Sequence, residues 1–290
     1  MKQGKYIKSG AKQYGFKQSP PAFLSLTESR LKRSICEGIN FASGAAGILP
    51  TTGTPFGEVI PMDVQLDNFR SSLKSFTARR CSKARRALLS KSVFLVSIGS
   101  NDLFTLYNSN TSAKTNHTTS KFITALASKY RRQLRTLYRL GARRFAILGL
   151  GKLGCCPSLR ILMASEECVA ALDDYAFQFN VALRKVLEEF SSKQEGIKYS
   201  FGDVHNFGKM LEGNPLAYGF KEIKVACCGG GRLNGEVACT PNATLCSNRD
   251  DYCFWDWYHL SDNADKLLAR LLFGGPPALA SPIKFGDLVG

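Results

Sequence analysis

The sequence predicts an α/β fold in three layers, a parallel β-sheet with helices on both faces. Two runs, Val93-Phe-Leu-Val-Ser-Ile98 and Phe145-Ala-Ile-Leu-Gly-Leu150, are short, apolar and rich in branched and aromatic side chains, as strands buried on both faces are. Apolar stripes at helical spacing separate and follow them. Strand and helix alternate along the chain, and parallel strands need such crossovers. In sheets of this kind ligands gather at the carboxyl ends of the strands.

Taken in order, residues 1–20 show no clear period, and Ser19-Pro20-Pro21 marks an extended turn. Gly38 to Gly47 is a run of small residues around Phe41, a composition that lets backbone approach something closely. Leu66, Phe69, Leu73 and Phe76 make 62–90 a helical region. The first buried strand then runs straight into Gly99-Ser-Asn-Asp102. Phe122, Leu126, Tyr130, Leu134 and Leu137 form a second helical stripe that closes at Gly141. The second strand ends in Gly151-Lys-Leu-Gly-Cys-Cys-Pro157. Leu172, Tyr175, Phe179, Leu183, Leu187 and Phe190 define a long helix, and Ile197, Tyr199 and Phe201 alternate as a third strand. Ser261 is placed to cap a last helix, with Asp262 and Asp265 favourable to its dipole and Gly274-Gly275-Pro276 stopping it. No repeat or linker divides the chain, so residues 1–290 read as one domain with a cysteine-bearing excursion at 227–253.

Composition narrows the class. With 44% hydrophobic and 21% charged residues the chain can bury a full core. No apolar run approaches the ~20 residues needed to span a bilayer. The basic start carries no hydrophobic segment of a secretory signal. Ten cysteines and the sequons at Asn110, Asn116 and Asn242 nevertheless read as a secreted, disulfide-bonded glycoprotein. Zinc is the competing account of the cysteines, but no Cys-x-x-Cys pair recurs and no histidine stands at ligand spacing. The net charge of +16 includes an acid-free stretch from Leu103 to Ser165 with Lys129, Arg131, Arg132, Arg135, Arg139, Arg143 and Arg144. These charges alternate with an apolar stripe and lack an aromatic platform, which fits a solvated helix face better than a nucleic-acid surface. No nucleic-acid partner is expected.

The chemistry-bearing stretch is Phe254-Trp-Asp-Trp-Tyr-His259. On one turn, Asp256 and His259 share a face. A carboxylate on Nδ1 fixes the tautomer and stabilises the imidazolium, leaving Nε2 free to take a proton from a hydroxyl. Asn101 and Asp102 are common turn and cap residues after a strand, and Asp102 reads as structural. His117 and His205 read as surface or loop histidines. Trp255 and Trp257 read as core aromatics rather than as the lining of an acyl pocket.

Five stretches in order, Gly38-Ile-Asn-Phe-Ala-Ser-Gly44, Ile98-Gly-Ser-Asn-Asp102, Leu148-Gly-Leu-Gly-Lys-Leu-Gly-Cys-Cys-Pro157, Tyr218-Gly-Phe220 with Cys227-Cys-Gly229, and Phe254 to His259, resemble the plant GDSL-type esterase/lipases of the SGNH hydrolase superfamily. The resemblance covers about Ala11 to Val289. It implies an SGNH-hydrolase, flavodoxin-like sheet and hydrolysis of carboxylic (acyl or lipid) esters through an acyl-enzyme. It also implies secretion, and neither cofactor nor metal. Carried over by motif, Gly44 is similar to the oxyanion glycine and Asn101 to the oxyanion asparagine. His259 is similar to the base and Asp256 to its orienting partner. One departure is Leu260-Ser261, where the family usually has Pro after the histidine; Ser261 can cap instead.

The family's nucleophile sits in a Gly-Asp-Ser-Leu-like motif at the end of its first strand, and none of the 37 residues before Gly38 resembles that motif. The first strand, the nucleophile and the signal peptide are therefore expected to be missing together, and the chain is expected to be inactive as written. Ser9, between Lys8 and Gly10, is the substitute by position but lacks a strand-to-helix setting. Ser43, Ser97 and Ser100 lie in motifs that already have roles. The alternative is an inactive relative that binds acyl ligands or a protein partner.

Overall fold

The computed structural model describes residues 5–74, 82–109 and 116–289. Helices α1 (Lys5–Gln13), α2 (Glu28–Glu37), α3 (Met62–Lys74) and α4 (Ser82–Lys91) precede strand β1 (Val93–Ser97). Next come α5 (Ser100–Asn108), α6 (Asn116–Leu140), β2 (Arg144–Leu148), α7 (Pro157–Arg160), α8 (Ala170–Lys193), β3 (Lys198–Gly202) and α9 (Val204–Gly213). The chain continues through β4 (Glu222–Ala226), β5 (Cys228–Gly229), β6 (Thr244–Leu245), β7 (Tyr252–Phe254), α10 (Asp262–Gly274) and β8 (Ala280–Pro282).

The main sheet has the order β1-β2-β3-β8. β1, β2 and β3 are parallel and in register, Leu95 beside Ala146 and Ala146 beside Ser200. The three-residue β8 pairs antiparallel to β3, so the sheet is parallel-dominated rather than wholly parallel. Register decides the layers. Phe94 and Phe145 point to one face, where they meet Phe69 of α3 and Phe190 of α8. Gly202 and Leu148 point to the other, against Leu272 of α10, and Leu95 lies next to Gly10 of α1 on that same face. This is the expected three-layer α/β/α arrangement. Among the described residues no strand pairs with the outer edge of β1.

The apolar stripes bury as their spacing requires: Leu126, Tyr130 and Leu134 of α6 and Leu172, Phe179, Leu183 and Leu187 of α8 are at most 1% exposed. Ser261 caps α10 by accepting from the Ala264 N–H at 3.1 Å.

Four expectations need correction or division. The start is helical from Lys5, because α1 packs on α10 and tertiary contact outweighs a weak local pattern. The region 62–90 is two helices, with Phe76 and the rest of 75–81 outside the described residues. His205 is buried, 7% exposed, with its ring 5.7 Å from that of Phe177. Trp255 is buried as expected, but Trp257 is only half-buried and donates from Nε1 to the Val237 carbonyl at 2.8 Å. Of the sequons, Asn110 and the side chain of Asn116 lie outside the described residues, as does the side chain of His117, while Asn242 is exposed.

Disulfides join Cys155–Cys168, Cys227–Cys246 and Cys228–Cys239. The last two staple the β5–β6 hairpin into a finger spanning 227–246. Cys36, Cys156 and Cys253 are unpaired among the described residues, and Cys81 lies outside them. Among the described residues no helix is long and apolar enough to cross a membrane.

Candidate active site

Three segments far apart in sequence meet at the carboxyl end of β1. The first is the turn after β7. The Trp255 N–H donates to the His259 carbonyl at 2.8 Å, closing the turn on itself. Inside it Asp256 Oδ1 accepts from the backbone N–H groups of Tyr258, at 3.1 Å, and His259, at 3.0 Å. The same carboxylate faces the ring: His259 Nδ1 lies 2.7 Å from Oδ1 and 3.0 Å from Oδ2. A carboxylate can only accept, so Nδ1 carries the proton, and in the neutral ring Nε2 presents its lone pair. Burial pushes the Asp256 carboxyl up, but its hydrogen bond to His259, the charge of that ring and the two backbone donors hold it below the ordinary carboxylate range. The anion stays available to the base.

The second segment is the first turn of α5. Asn101 donates from Nδ2 to the Ala46 carbonyl at 2.9 Å, which fixes which way the amide points and leaves its second N–H for another acceptor. The third is the small-residue loop that holds Gly44. Among the described residues the Gly44 N–H makes no hydrogen bond. Next to it Ala45 is held at φ +58°, a left-handed conformation that costs about 1 kcal/mol without glycine.

Asp102 ties the last two segments together, a contribution its reading as a simple turn residue missed. Its fully buried carboxylate accepts from the N–H groups of Ile48 (2.9 Å) and Leu49 (3.0 Å) and from the Thr52 hydroxyl (2.7 Å). Burial raises its pKa in spite of those three donors. The fit leaves no room for side chains. A Cβ on Gly47 would sit 2.4 Å from Thr52, and one on Gly53, at φ +84°, would sit 2.3 Å from the Ala45 carbonyl oxygen. The density of glycine and alanine in this loop was the available signal; the partner acid fifty residues on was not.

Gly44, Asn101, Asp256 and His259 all line one largely apolar cavity of about 1820 Å³. It continues along the open edge of β1 past Val93 to Ser97, and exceeds the ~300–1,000 Å³ of a small-ligand pocket. The sequence therefore selected four residues that all lie in the lining of one cavity. Asp256 and His259 are in contact, and Asn101 is bound to the loop of Gly44.

The four serines considered from the sequence are placed as follows. Ser9 is buried on α1, the helix that packs against α10, and Ser43 accepts from the Ile60 N–H at 3.2 Å. Ser97 and Ser100 line the cavity. Among the described residues no hydroxyl is hydrogen-bonded to His259 Nε2. The one described group at metal-ligand spacing is Cys155, Cys168 and Asp173, where the two sulfurs are already joined to each other.

The model of the family GDSL-like Lipase/Acylhydrolase matches residues 6–272. The chain is 34% identical to GDSL esterase/lipase At5g37690 of Arabidopsis thaliana over 91% of its own length and 74% of that protein's. It is 36% identical to GDSL esterase/lipase At2g23540 over 88% and 68%, and 35% identical to GDSL esterase/lipase 4 over 87% and 69%, both also from Arabidopsis thaliana.

Proposed function

The chain belongs to the GDSL-like lipase/acylhydrolase family, and on that premise we propose that its cavity is a carboxylic-ester site whose base and anion-binding groups are His259, Asp256, Gly44 and Asn101. The observation that carries this is the two-oxygen contact of Asp256 with His259 Nδ1, in a cavity whose lining also includes Asn101 and Gly44. In the reaction such a site serves, Nε2 takes the proton of an attacking hydroxyl and later returns it to the leaving alkoxide. The Asn101 amide and the Gly44 N–H receive the charge that forms on the carbonyl oxygen; one such donor is typically worth on the order of 10²–10³ in kcat.

Among the described residues no hydroxyl is hydrogen-bonded to Nε2, which supports a site without its nucleophile. We therefore propose that this 290-residue chain binds acyl esters in its cavity without turning them over at an enzymic rate. The size and apolar lining of the cavity favour that binding reading. Three disulfides and the exposed sequon at Asn242 favour an oxidising, extracellular setting. Titration with a non-cleavable ketone analogue of p-nitrophenyl butyrate, in which a methylene replaces the ester oxygen and the carbonyl is kept, tests the site. Binding that weakens in Asn101→Ala is the expected result, and absence of binding would defeat the proposal.

A further inference from the structure

Three segments, two of which reach the cavity lining, share an unusual composition. Ile161 to Ser165, Val237 to Ser247 and Trp257 to Ser261 contain no Asp, Glu, Lys or Arg, on a chain in which 21% of residues are charged and the net charge is +16. Their apolar side chains face solvent: Leu162 is 60% exposed, Val237 55%, Leu245 47%, Tyr258 42% and Met163 41%. Scattered exposed apolar residues need no explanation, but these are tied together. Arg232 donates to the Ile161 carbonyl at 2.7 Å, Ser158 to the Trp257 carbonyl at 3.2 Å, and Trp257 to the Val237 carbonyl at 2.8 Å. The finger is stapled by Cys227–Cys246 and Cys228–Cys239, so the collar is not free to fold over and cover itself. Arg232 and Glu236, beside it, neutralise each other at 2.9 Å.

We infer that this collar is a docking surface for the interface of an aggregated, uncharged acyl ester, such as an oil droplet. The occupant follows from two features. The collar is continuous with the mouth of the cavity, whose wall includes Leu245, Tyr258 and His259. Its lack of charge on a strongly basic protein matches a neutral phase and offers nothing to an anionic one. Burying exposed apolar side chains at such a surface drives adsorption independently of salt. The inference rests on the ester-site reading and names the physical form of the ligand.

The test is flotation of the unglycosylated chain with triolein droplets, since Asn242 heads a sequon within the collar. Leu162→Asp and Val237→Asp change the collar at side chains that do not line the cavity, and Val64→Asp on α3, 43% exposed in the native chain, is the control. The native chain and the control are expected to float with the droplets in low and in high salt. Each collar variant is expected to lower the bound fraction about tenfold. The inference is overturned if the collar variants float like the native chain, if salt abolishes flotation, or if the variants instead split a dimer, since a second copy then covers the collar. Flotation reads adsorption alone. Retained binding of the soluble ketone analogue with collar-independent flotation would sink this inference and leave the ester site standing.

Discussion

One oxygen of Asp256 holds His259 twice, through the ring at 2.7 Å from Nδ1 and through the backbone N–H at 3.0 Å. Rotation of the ring away from Asp256 loses the Nδ1 contact, while the backbone N–H keeps that oxygen in place. Asp256→Asn offers Nδ1 either an amide oxygen or an amide N–H, and the second choice reverses the tautomer. Nitrogen-15 NMR of the imidazole is expected to show Nδ1–H in the native chain and a mixture, or Nε2–H, in the variant. Stability should follow with a definite sign. The folded Asp256 carboxyl lies below its ordinary range, so its contribution is present above the unfolded carboxylate pKa of about 3.9 and is lost as pH falls through the folded value. The melting-temperature gap between native chain and Asp256→Asn should close on acidification below that point.

Asp102 has the opposite sign. Burial raises its pKa, so the folded state holds the proton more tightly and this contribution falls as pH rises through the raised value. Removing the carboxylate is nonetheless destabilising, because Asp102→Ala leaves the buried N–H of Ile48 and the Thr52 hydroxyl without their acceptor. A cost of about 1–3 kcal/mol is expected for each group so orphaned. Hydrogen exchange should locate the loss: faster exchange at Ile48 and Leu49, with the β2 and β3 amides unchanged. Uniform acceleration would place the role in global stability instead.

Much of this was legible before any coordinates. Arg144–Leu148 is recognisable as a strand because both faces are covered, which forces continuous apolar residues. Val93–Ser97 has the same pattern and is a strand, but it is only half-buried, because it lies along the cavity rather than being covered as the sequence led one to expect. The Ser261 cap and the Asp256–His259 turn are local, and local geometry is written in spacing of three residues. What escaped is long-range. α1 carries too few apolar residues to announce itself and exists by docking on α10. The part Asp102 plays depends on backbone donors 53 and 54 residues away. His205 is buried by its contact with Phe177, which no periodicity in α9 foretells. Cysteine pairing was open for a combinatorial reason, and among the described residues the fold brings three pairs within bonding distance.

The finger depends on its staples. Cys227–Cys246 and Cys228–Cys239 close loops of 19 and 11 residues around a hairpin of only two residues per strand. Replacing Cys228 and Cys239 together by alanine is expected to cost about 2–4 kcal/mol, read as a lower melting temperature. Limited proteolysis should then cut between Cys228 and Cys239 first.

β1 is paired on one side only among the described residues, and its other edge borders the large cavity. Open edges recruit strands. Light scattering of the isolated chain is expected to rise with concentration, with a broad melt. A sharp cooperative melt as a monomer would mean that the edge is closed.

The most direct measurement is turnover of p-nitrophenyl butyrate by the 290-residue chain beside His259→Ala and Ser9→Ala. All three are expected to run at the same low rate, because among the described residues no hydroxyl is hydrogen-bonded to His259 Nε2. Robust hydrolysis that disappears in Ser9→Ala would contradict it.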